Sequence, residues 1–155
     1  MPLRDRGDRG VLGELEDLRG EGKLDLIGVS NVTVEQAEQA LDLLGLGEVQ
    51  NSYSILDREH EPLLELCRDR GIAFVPFFPL GSAFTGGPAR LASDPVIAGV
   101  AERHGATPSQ VALAWLLARY DLTLLIPGTS SVAHLEENMA AGDIQLDADD
   151  LAALG

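Results

Sequence analysis

The chain has 155 residues, 45% of them hydrophobic, and a formal net charge of −14 at pH 7. This length and composition predict a single globular domain, and the acidic charge disfavours nucleic acids and acidic membrane surfaces as partners. We expect no membrane span, because no apolar run approaches roughly 20 residues, and the single cysteine, Cys67, favours the cytoplasm.

The first predicted elements alternate between helix and strand. Residues 1–10 are charged and rich in glycine, and we expect them to be disordered. An apolar stripe at helical spacing predicts a helix over residues 11–19. A strand over residues 24–29 follows, and Thr33 and Gln36 then form the capping-box pattern that starts the next helix.

The middle of the chain repeats this strand and helix pattern. A second strand is predicted over residues 48–53 and a helix over residues 59–70, with Gly71 as its left-handed C-terminal cap. The third strand covers residues 72–77. Pro76 is expected near the end of that strand, because proline cannot donate a hydrogen bond to a neighbouring strand.

A long irregular loop is predicted over residues 78–92, and a loop of this length in a compact domain is more often functional than incidental. Helices are expected over residues 94–104 and 107–120. The second of these is apolar nearly all round, so it should be buried on two sides. Residues 122–126 are predicted to form the fourth strand, and Asp147 starts a short last helix.

Polar or small residues follow each of the four predicted strands. They are Ser30 and Asn31, Gln50, the Pro79-Leu80-Gly81-Ser82 segment, and Gly128, Thr129 and Ser130. Strict alternation of strands and helices implies parallel strands, whose carboxyl ends meet on one rim where ligands gather. One such residue only marks the end of a strand, but four groups in succession favour a functional rim.

The last strand–helix junction has the features of an anion site. An apolar run over residues 122–126 breaks at Pro127, hydroxyl residues follow, and Ser131 is a plausible helix N-cap. The first N–H groups of a helix have no partner inside it, so a phosphate is a natural ligand there. The alternative is an ordinary turn whose hydroxyls only cap the helix.

Several ordered motifs carry a resemblance to a known family. They are residues 27–31 (IGVSN), 49–54 (VQNSYS), 79–82 (PLGS) and 126–131 (IPGTSS), followed by His134, Leu135, Glu137 and Asn138. In this order and spacing, the sequence from about residue 11 to 154 resembles the aldo-keto reductase family. The resemblance implies an α/β fold with parallel (β/α) units, namely the C-terminal half of a TIM (β/α)8 barrel with four strands each followed by a helix. Residues 1–155 would form one partial barrel domain.

The resemblance also implies a site for NADP (NADPH), with which the family reduces carbonyls. Ser30, Asn31 and Gln50 match the clamp on the nicotinamide carboxamide, and Phe77 matches an aromatic ring that stacks on the nicotinamide. Pro79, Leu80, Gly81 and Ser82 match the loop over the pyrophosphate. Gly128, Thr129, Ser130 and Ser131 match the 2′-phosphate site, and Glu137 and Asn138 match the adenine contacts. Alternatively, Gln50 is a polar residue of the barrel interior and Phe77 is plain core.

One departure from the family pattern concerns the 2′-phosphate. Many relatives place Lys and Arg beside it, whereas this chain has Gly128 and His134. The preference for NADP over NAD is therefore left open by the sequence. His134 would contribute when protonated, and its alternative role is an ordinary solvated residue of a helix surface.

The resemblance places the catalytic Asp, Tyr, Lys and His of the family in the other, N-terminal half. We therefore predict no catalytic residue and no metal site in this chain. Lys23 precedes the first strand and lies on the wrong rim, whereas Tyr53 is expected near the right rim but matches no catalytic position. Two hypotheses remain: an oxidoreductase half that needs an N-terminal half-barrel chain, and a non-catalytic nucleotide-binding or interaction module.

Four parallel strands would leave two open sheet edges. The inner face would also lose its opposing side chains, so we expect Leu26, Val49, Phe74 and Leu124 or their neighbours to meet water. Natural proteins normally close, cover or charge such edges. The sequence therefore predicts either docking with an N-terminal half-barrel or self-association.

Overall fold

A computed structural model of the chain describes residues 7–82 and 86–155. Helices and strands alternate through most of these residues. In chain order they are α1 (Gly7–Gly20), β1 (Gly28–Ser30), α2 (Val34–Leu44), β2 (Glu48–Ser52), α3 (Glu61–Arg70), β3 (Ala73–Phe77), α4 (Gly87–Ser93), α5 (Pro95–His104), α6 (Pro108–Arg119), α7 (Val132–Ala140) and α8 (Ala148–Leu154), with a 3-10 turn at Ala141–Asp143.

The three strands form one parallel sheet in the order β1-β2-β3. Ser30 pairs with Gln50, and Gln50 pairs with Val75 on the other side. Residues paired across parallel strands point to the same face, so these three side chains share one face of the sheet. The predicted α/β fold with parallel strands is therefore confirmed.

The prediction of a fourth strand over residues 122–126 is wrong, because these residues do not form a regular strand. Residues 122–126 make a single parallel bridge, in which Thr123 pairs with Phe74. The Phe74 N–H donates to Leu122 O at 3.1 Å, and the Leu124 N–H donates to Phe74 O at 3.0 Å. The next donor on this edge of β3 would be Pro76, which has no N–H. The pairing therefore ends after one bridge.

Two further expectations differ from the structure at their boundaries. The predicted loop over residues 78–92 contains the helix α4, which begins at Gly87. At the other end of the chain, α1 begins at Gly7, inside the segment expected to be disordered. Residues 1–6 and 83–85 lie outside the described residues.

The predicted helix caps are confirmed. Both capping boxes form, with Thr33 and Thr107 each accepting a hydrogen bond from a backbone N–H three residues later. Gly71 ends α3 in the left-handed conformation, at φ 66° and ψ 34°, which glycine adopts without steric cost. Asp147 caps α8. These caps are local in sequence, so they form without help from the rest of the fold.

The core lies between the sheet and the helices. As expected, α6 is buried on more than one side through its middle, from Val111 to Leu116. Trp115 stacks on Tyr53 with ring centroids 5.9 Å apart, and Tyr53 meets Phe74 edge-on at 5.7 Å. These aromatic contacts join α6 to the face of the sheet that the helices cover.

Four apolar residues were expected to meet water on the inner face of the sheet, and two of them do so. Val49 and Phe74 are fully buried, because their side chains face the helices rather than the open side of the sheet. Leu26 and Leu124, by contrast, are 73% and 55% exposed. The open inner face of the sheet therefore exposes apolar side chains at Leu26 and Leu124, which line one cavity there, as the sequence predicts.

Asp150 attaches α8 to α5. Its side chain is 3% exposed, and its Oδ1 accepts a hydrogen bond from Arg103 Nη2 at 2.5 Å. Its Oδ2 lies 2.6 Å from His104 Nε2. The hydrogen bonds from Arg103 and then His104 hold the pKa of Asp150 at about 2, below its ordinary value of 3.8.

We expect Asp150→Asn to lower the thermal midpoint of the protein at neutral pH. Because the folded-state pKa lies below the unfolded one, the stability that the Asp150 carboxylate provides is present above pH 3.8 and is lost as the pH falls towards about 2. The difference between parent and variant, followed by circular dichroism, should therefore shrink over that range. Asp149→Asn, an exposed change of the same charge on the same helix, should show no such convergence. A difference that stays constant into strong acid would contradict the assignment.

Among the described residues, no helix is both long enough and apolar enough to cross a membrane.

Candidate functional site

The residues predicted to clamp a carboxamide meet at the carboxyl ends of β1 and β2. The Ser30 hydroxyl donates to Gln50 Oε1 at 3.3 Å. The backbone N–H of Asn31 donates to Gln50 O at 2.9 Å. Asn31 itself adopts a left-handed backbone conformation, with φ 56°, which asparagine tolerates better than most residues. The sheet thus brings Ser30, Asn31 and Gln50 together as a polar cluster.

Asn51 holds this cluster in place and was missed by the sequence analysis. Its side chain is fully buried. Its Nδ2 donates to Val32 O at 2.9 Å, and its Oδ1 accepts from the Val32 N–H at 3.1 Å. These two bonds fix the turn that carries Ser30 and Asn31. A polar residue at a position of β2 that faces the helices is the signal that could have revealed it.

A cavity of about 460 Å³ opens beside the ends of β3 and of the 122–126 segment. Two segments that are far apart in sequence form its walls, and both belong to the predicted site. The residues that line the cavity are Phe77, Phe78, Pro79, Leu80, Gly81 and Pro88 on one side, and Ile126, Pro127 and Gly128 on the other. Phe77 was predicted as a site residue, whereas Phe78 was not.

The Phe78 side chain is 52% exposed, and its backbone has a φ of 55°. Its ring meets that of Phe77 at 81°, with centroids 5.2 Å apart. The Gly81 N–H donates to Phe78 O at 2.8 Å and closes a turn over Pro79 and Leu80. A left-handed, exposed phenylalanine next to a cavity is unusual, because such a conformation is sterically costly for a residue with a side chain.

The hydroxyl residues before α7 are engaged mainly with the backbone. Thr129 Oγ1 accepts from the Ser131 N–H at 3.1 Å, and Ser131 Oγ accepts from the His134 N–H at 3.4 Å. Ser131 is therefore the N-cap of α7, as predicted. Ser130 is exposed beside it. The capping interpretation is correct for Ser131, and the N–H groups of Val132 and Ala133 belong to the same first turn.

The residues predicted to contact adenine, Glu137 and Asn138, lie along α7, and His134, predicted beside the 2′-phosphate, precedes them by about one turn. His134 and Glu137 are exposed, and Asn138 is half-buried. Asn138 and Gly128 both line a second cavity of about 530 Å³, with Leu117, Leu125, Leu135 and Met139 among its apolar walls. The backbone of Glu137 is tied to α6 by a hydrogen bond from Gln110 Nε2 at 3.0 Å. Ile126, Pro127 and Gly128 line both cavities and so connect them.

Neither tyrosine is placed to donate a proton on the rim. Tyr53 follows the last residue of β2 and so lies near the rim as expected, but its side chain is fully buried and its hydroxyl donates to Glu61 Oε2 at 2.6 Å. Burial, and then the Glu61 carboxylate, raises the pKa of Tyr53. The Tyr120 hydroxyl donates to backbone carbonyls at Cys67 and Ile72, 3.2 and 3.1 Å away.

The comparison with known proteins decides the family. A profile of the Aldo/keto reductase family matches residues 8–155. The chain belongs to the aldo-keto reductase family. Pyridoxine 4-dehydrogenase of Escherichia coli (strain K12) is 46% identical over 140 residues, which are 90% of this chain and 47% of the relative. The chain therefore spans about half the length of the curated relatives it matches.

Solved aldo-keto reductase structures match over similar shares. An aldo/keto reductase from Klebsiella pneumoniae, crystallised with NADP and acetate, is 33% identical, with a TM-score of 0.79 over 92% of this chain and 51% of that one. Aldose reductase from Giardia lamblia is 24% identical, with a TM-score of 0.85 over 98% of this chain and 50% of that one. The latter likeness concerns the fold alone. The structure thus corresponds to part of an aldo-keto reductase barrel.

Proposed function

We propose that this chain is the C-terminal, NADP(H)-binding half of a cytoplasmic aldo-keto reductase that acts on carbonyl or alcohol substrates. The meeting of Ser30, Asn31 and Gln50 at the carboxyl ends of β1 and β2 carries the proposal. The family of the chain and its NADP-bound relative from K. pneumoniae support the choice of cofactor.

The residues at this rim suit the two ends of a carboxamide. An amide group has both a donor and an acceptor, and the Gln50 amide and the Ser30 hydroxyl each offer both functions. The Ser30 hydroxyl and the Gln50 amide are now hydrogen-bonded to each other at 3.3 Å. Breaking this bond would free both groups to bind the ligand. Bound NADPH would supply the hydride, while Phe77 and the polar cluster would orient its nicotinamide ring.

The N-terminus of α7 would hold the phosphate end of the cofactor. Residues 126–133 carry no ionisable side chain, so the attraction for a phosphate there would come from backbone N–H groups and the hydroxyls of Thr129 and Ser130. Asn138, two turns further along α7, would face the adenine across the second cavity. His134 would add charge when protonated.

A complete active site would need the N-terminal half of a barrel. We propose that a half-barrel chain or a second copy of this chain supplies the missing walls. The name of the E. coli relative, pyridoxine 4-dehydrogenase, suggests a ring-bearing alcohol such as pyridoxine as the substrate of the completed enzyme. Retention of nucleotide binding without turnover in that assembly would instead support a non-catalytic module.

Ser130→Asp is expected to weaken the binding of adenosine 2′,5′-bisphosphate by roughly tenfold, because a carboxylate at the start of a helix competes with the phosphate and repels it. Asn138→Ala should also weaken it, by removing the contact to adenine. Isothermal titration calorimetry measures both effects.

Ser93→Asp is the matched control for charge. Ser93 is exposed at the end of α4, and its hydroxyl donates to Arg90 O at 3.0 Å, outside the proposed site. This variant should bind the bisphosphate as the parent does. Equal affinity of the parent, Ser130→Asp and Asn138→Ala would count against the site at α7.

A further inference from the structure

Glu48 is a charged residue on the inner face of the sheet, which is the face turned away from the helices. It pairs with Gly28 on one side and with Ala73 on the other, and residues paired across parallel strands share a face. Val49, the next residue, faces the helices and is fully buried. β2 therefore begins with a carboxylate on the face that would become the interior of a closed barrel.

The residues beside Glu48 make room for its side chain. A Cβ atom at Gly28 would overlap Glu48 Cγ and would lie 2.8 Å from Glu48 Oε1. The glycine thus lets the Glu48 side chain lie against the backbone of β1, and the small side chain of Ala73 takes up little space on the other side. Glu48 is half-buried in this position.

A cavity of about 180 Å³ lies at this end of the inner face. The exposed side chains of Leu26 and Leu124 line it together with Glu48. Its wall thus combines apolar surface with one carboxylate. A lysine or arginine side chain suits such a wall, because its aliphatic stem covers apolar surface and its charged head hydrogen-bonds to a carboxylate.

The cation for Glu48 does not come from its own surroundings. In the part of the chain whose side chains the structure describes, no lysine or arginine pairs with Glu48. Lys23 also lies at the amino end of the sheet, but its ammonium pairs with Glu21 at 2.6 Å. Closure of a barrel would remove Glu48 from water, and a carboxylate without a partner is costly to bury. The molecule that closes the barrel must therefore supply the cation.

We propose that this end of the inner face, lined by Leu26, Glu48 and Leu124, is a docking surface for a half-barrel partner that inserts a lysine or arginine side chain and pairs it with Glu48. The inference rests on the part of the proposed function in which a second half completes the barrel. An unaltered second copy of this chain fits the surface less well. It would bring another Glu48 into the same interior, and each copy carries a net charge of −14.

Mixing the parent with a Glu48→Lys variant tests the proposal, because the variant is a copy of the chain that carries the required cation. With the variant isotope-labelled, native mass spectrometry distinguishes the mixed dimer from the two others. The mixed dimer should form roughly tenfold more tightly than the dimer of either chain alone.

Glu48→Gln removes the charge and keeps the shape of the side chain. It should self-associate more strongly than the parent and show no preference for the parent in a mixture. Thermal unfolding followed by circular dichroism checks that both variants fold. Should the lysine variant fail to fold, the comparison of Glu48→Gln with the parent remains decisive, and equal self-association of the two would overturn the proposal.

Glu38→Lys is the matched control, because Glu38 is exposed on α2 and its replacement changes the net charge by the same amount. Its mixture with the parent should contain the mixed dimer close to the statistical proportion. An equal preference in both mixtures, or no dimer in any of them, would overturn the docking surface. Binding of adenosine 2′,5′-bisphosphate by the parent tests the proposed cofactor site separately, so the failure of one proposal is distinguishable from the failure of the other.

Discussion

The purified chain is expected to oxidise no NADPH in the presence of an aromatic aldehyde. Transfer of a hydride to a carbonyl requires a proton for the oxygen, and a positioned general acid contributes roughly 10²–10⁴-fold to such a step. By the resemblance to the family, the proton donor and its partners belong to the N-terminal half.

The tyrosines and the lysine of this chain do not replace that group. Tyr53 is buried, and its hydroxyl donates to Glu61. Lys23 lies before β1, at the amino end of the sheet, and its ammonium pairs with Glu21 at 2.6 Å. No Lys therefore stands beside a Tyr to lower its pKa among the described residues.

Absorbance of NADPH gives the measurement, with the full-length E. coli relative as a positive control for the assay. Supplying the N-terminal half of that relative by co-refolding should raise the rate above that of the chain alone, if the two halves assemble. Turnover by this chain alone that Gln50→Ala abolishes would show that the chain contains its own catalytic group, and the prediction would then be wrong.

Signals that are local in sequence predicted the structure well. The capping boxes at Thr33 and Thr107 formed as expected, because a side chain and an N–H three residues away need no other partner. Alternation of strands and helices likewise predicted the parallel sheet. Ser30, the last residue of β1, and Gln50, the middle residue of β2, met because they are paired across neighbouring parallel strands.

The errors came from features that depend on neighbouring strands. β3 is apolar on both faces, so the sequence does not show that Phe74 turns towards the helices. In β2, Val49 lies between the polar residues Glu48 and Gln50, and this alternation is the signal that could have placed Val49 on the face that the helices cover. The loss of the fourth strand depended on Pro76 lying on the edge of β3 that faces residues 122–126. A residue before proline is normally extended, so no sequence signal indicated the left-handed conformation of Phe78.

The chain is also expected not to persist as a well-behaved monomer. Beyond the open inner face at Leu26 and Leu124, α7 exposes an apolar stripe at Val132, Leu135 and Met139. The structure describes α7 in full, and none of its residues is fully buried. Several hundred Å² of apolar surface in water costs on the order of 10 kcal/mol, which is comparable to the whole stability of a domain, roughly 5–15 kcal/mol.

Two partners would cover these surfaces. A separate N-terminal half-barrel would pair with both edges and shield α7. Two copies of this chain could instead join edge to edge, β1 of each against residues 122–126 of the other, with all strands parallel. The net charge of −14 on each copy opposes that dimer at long range, so self-association should strengthen as salt screens the repulsion.

Analytical ultracentrifugation over a range of salt concentrations measures this assembly. Leu124→Lys places a charge on an open edge and should shift the chain towards monomer, since a lysine on an edge strand opposes pairing. Leu43→Lys adds the same charge to the exposed face of α2 and should leave the distribution of species as in the parent. A stable, cooperatively folding monomer of 16.5 kDa at micromolar concentration would show that the exposed edges and the α7 stripe are tolerated in water. The need for a partner would then rest on catalysis alone.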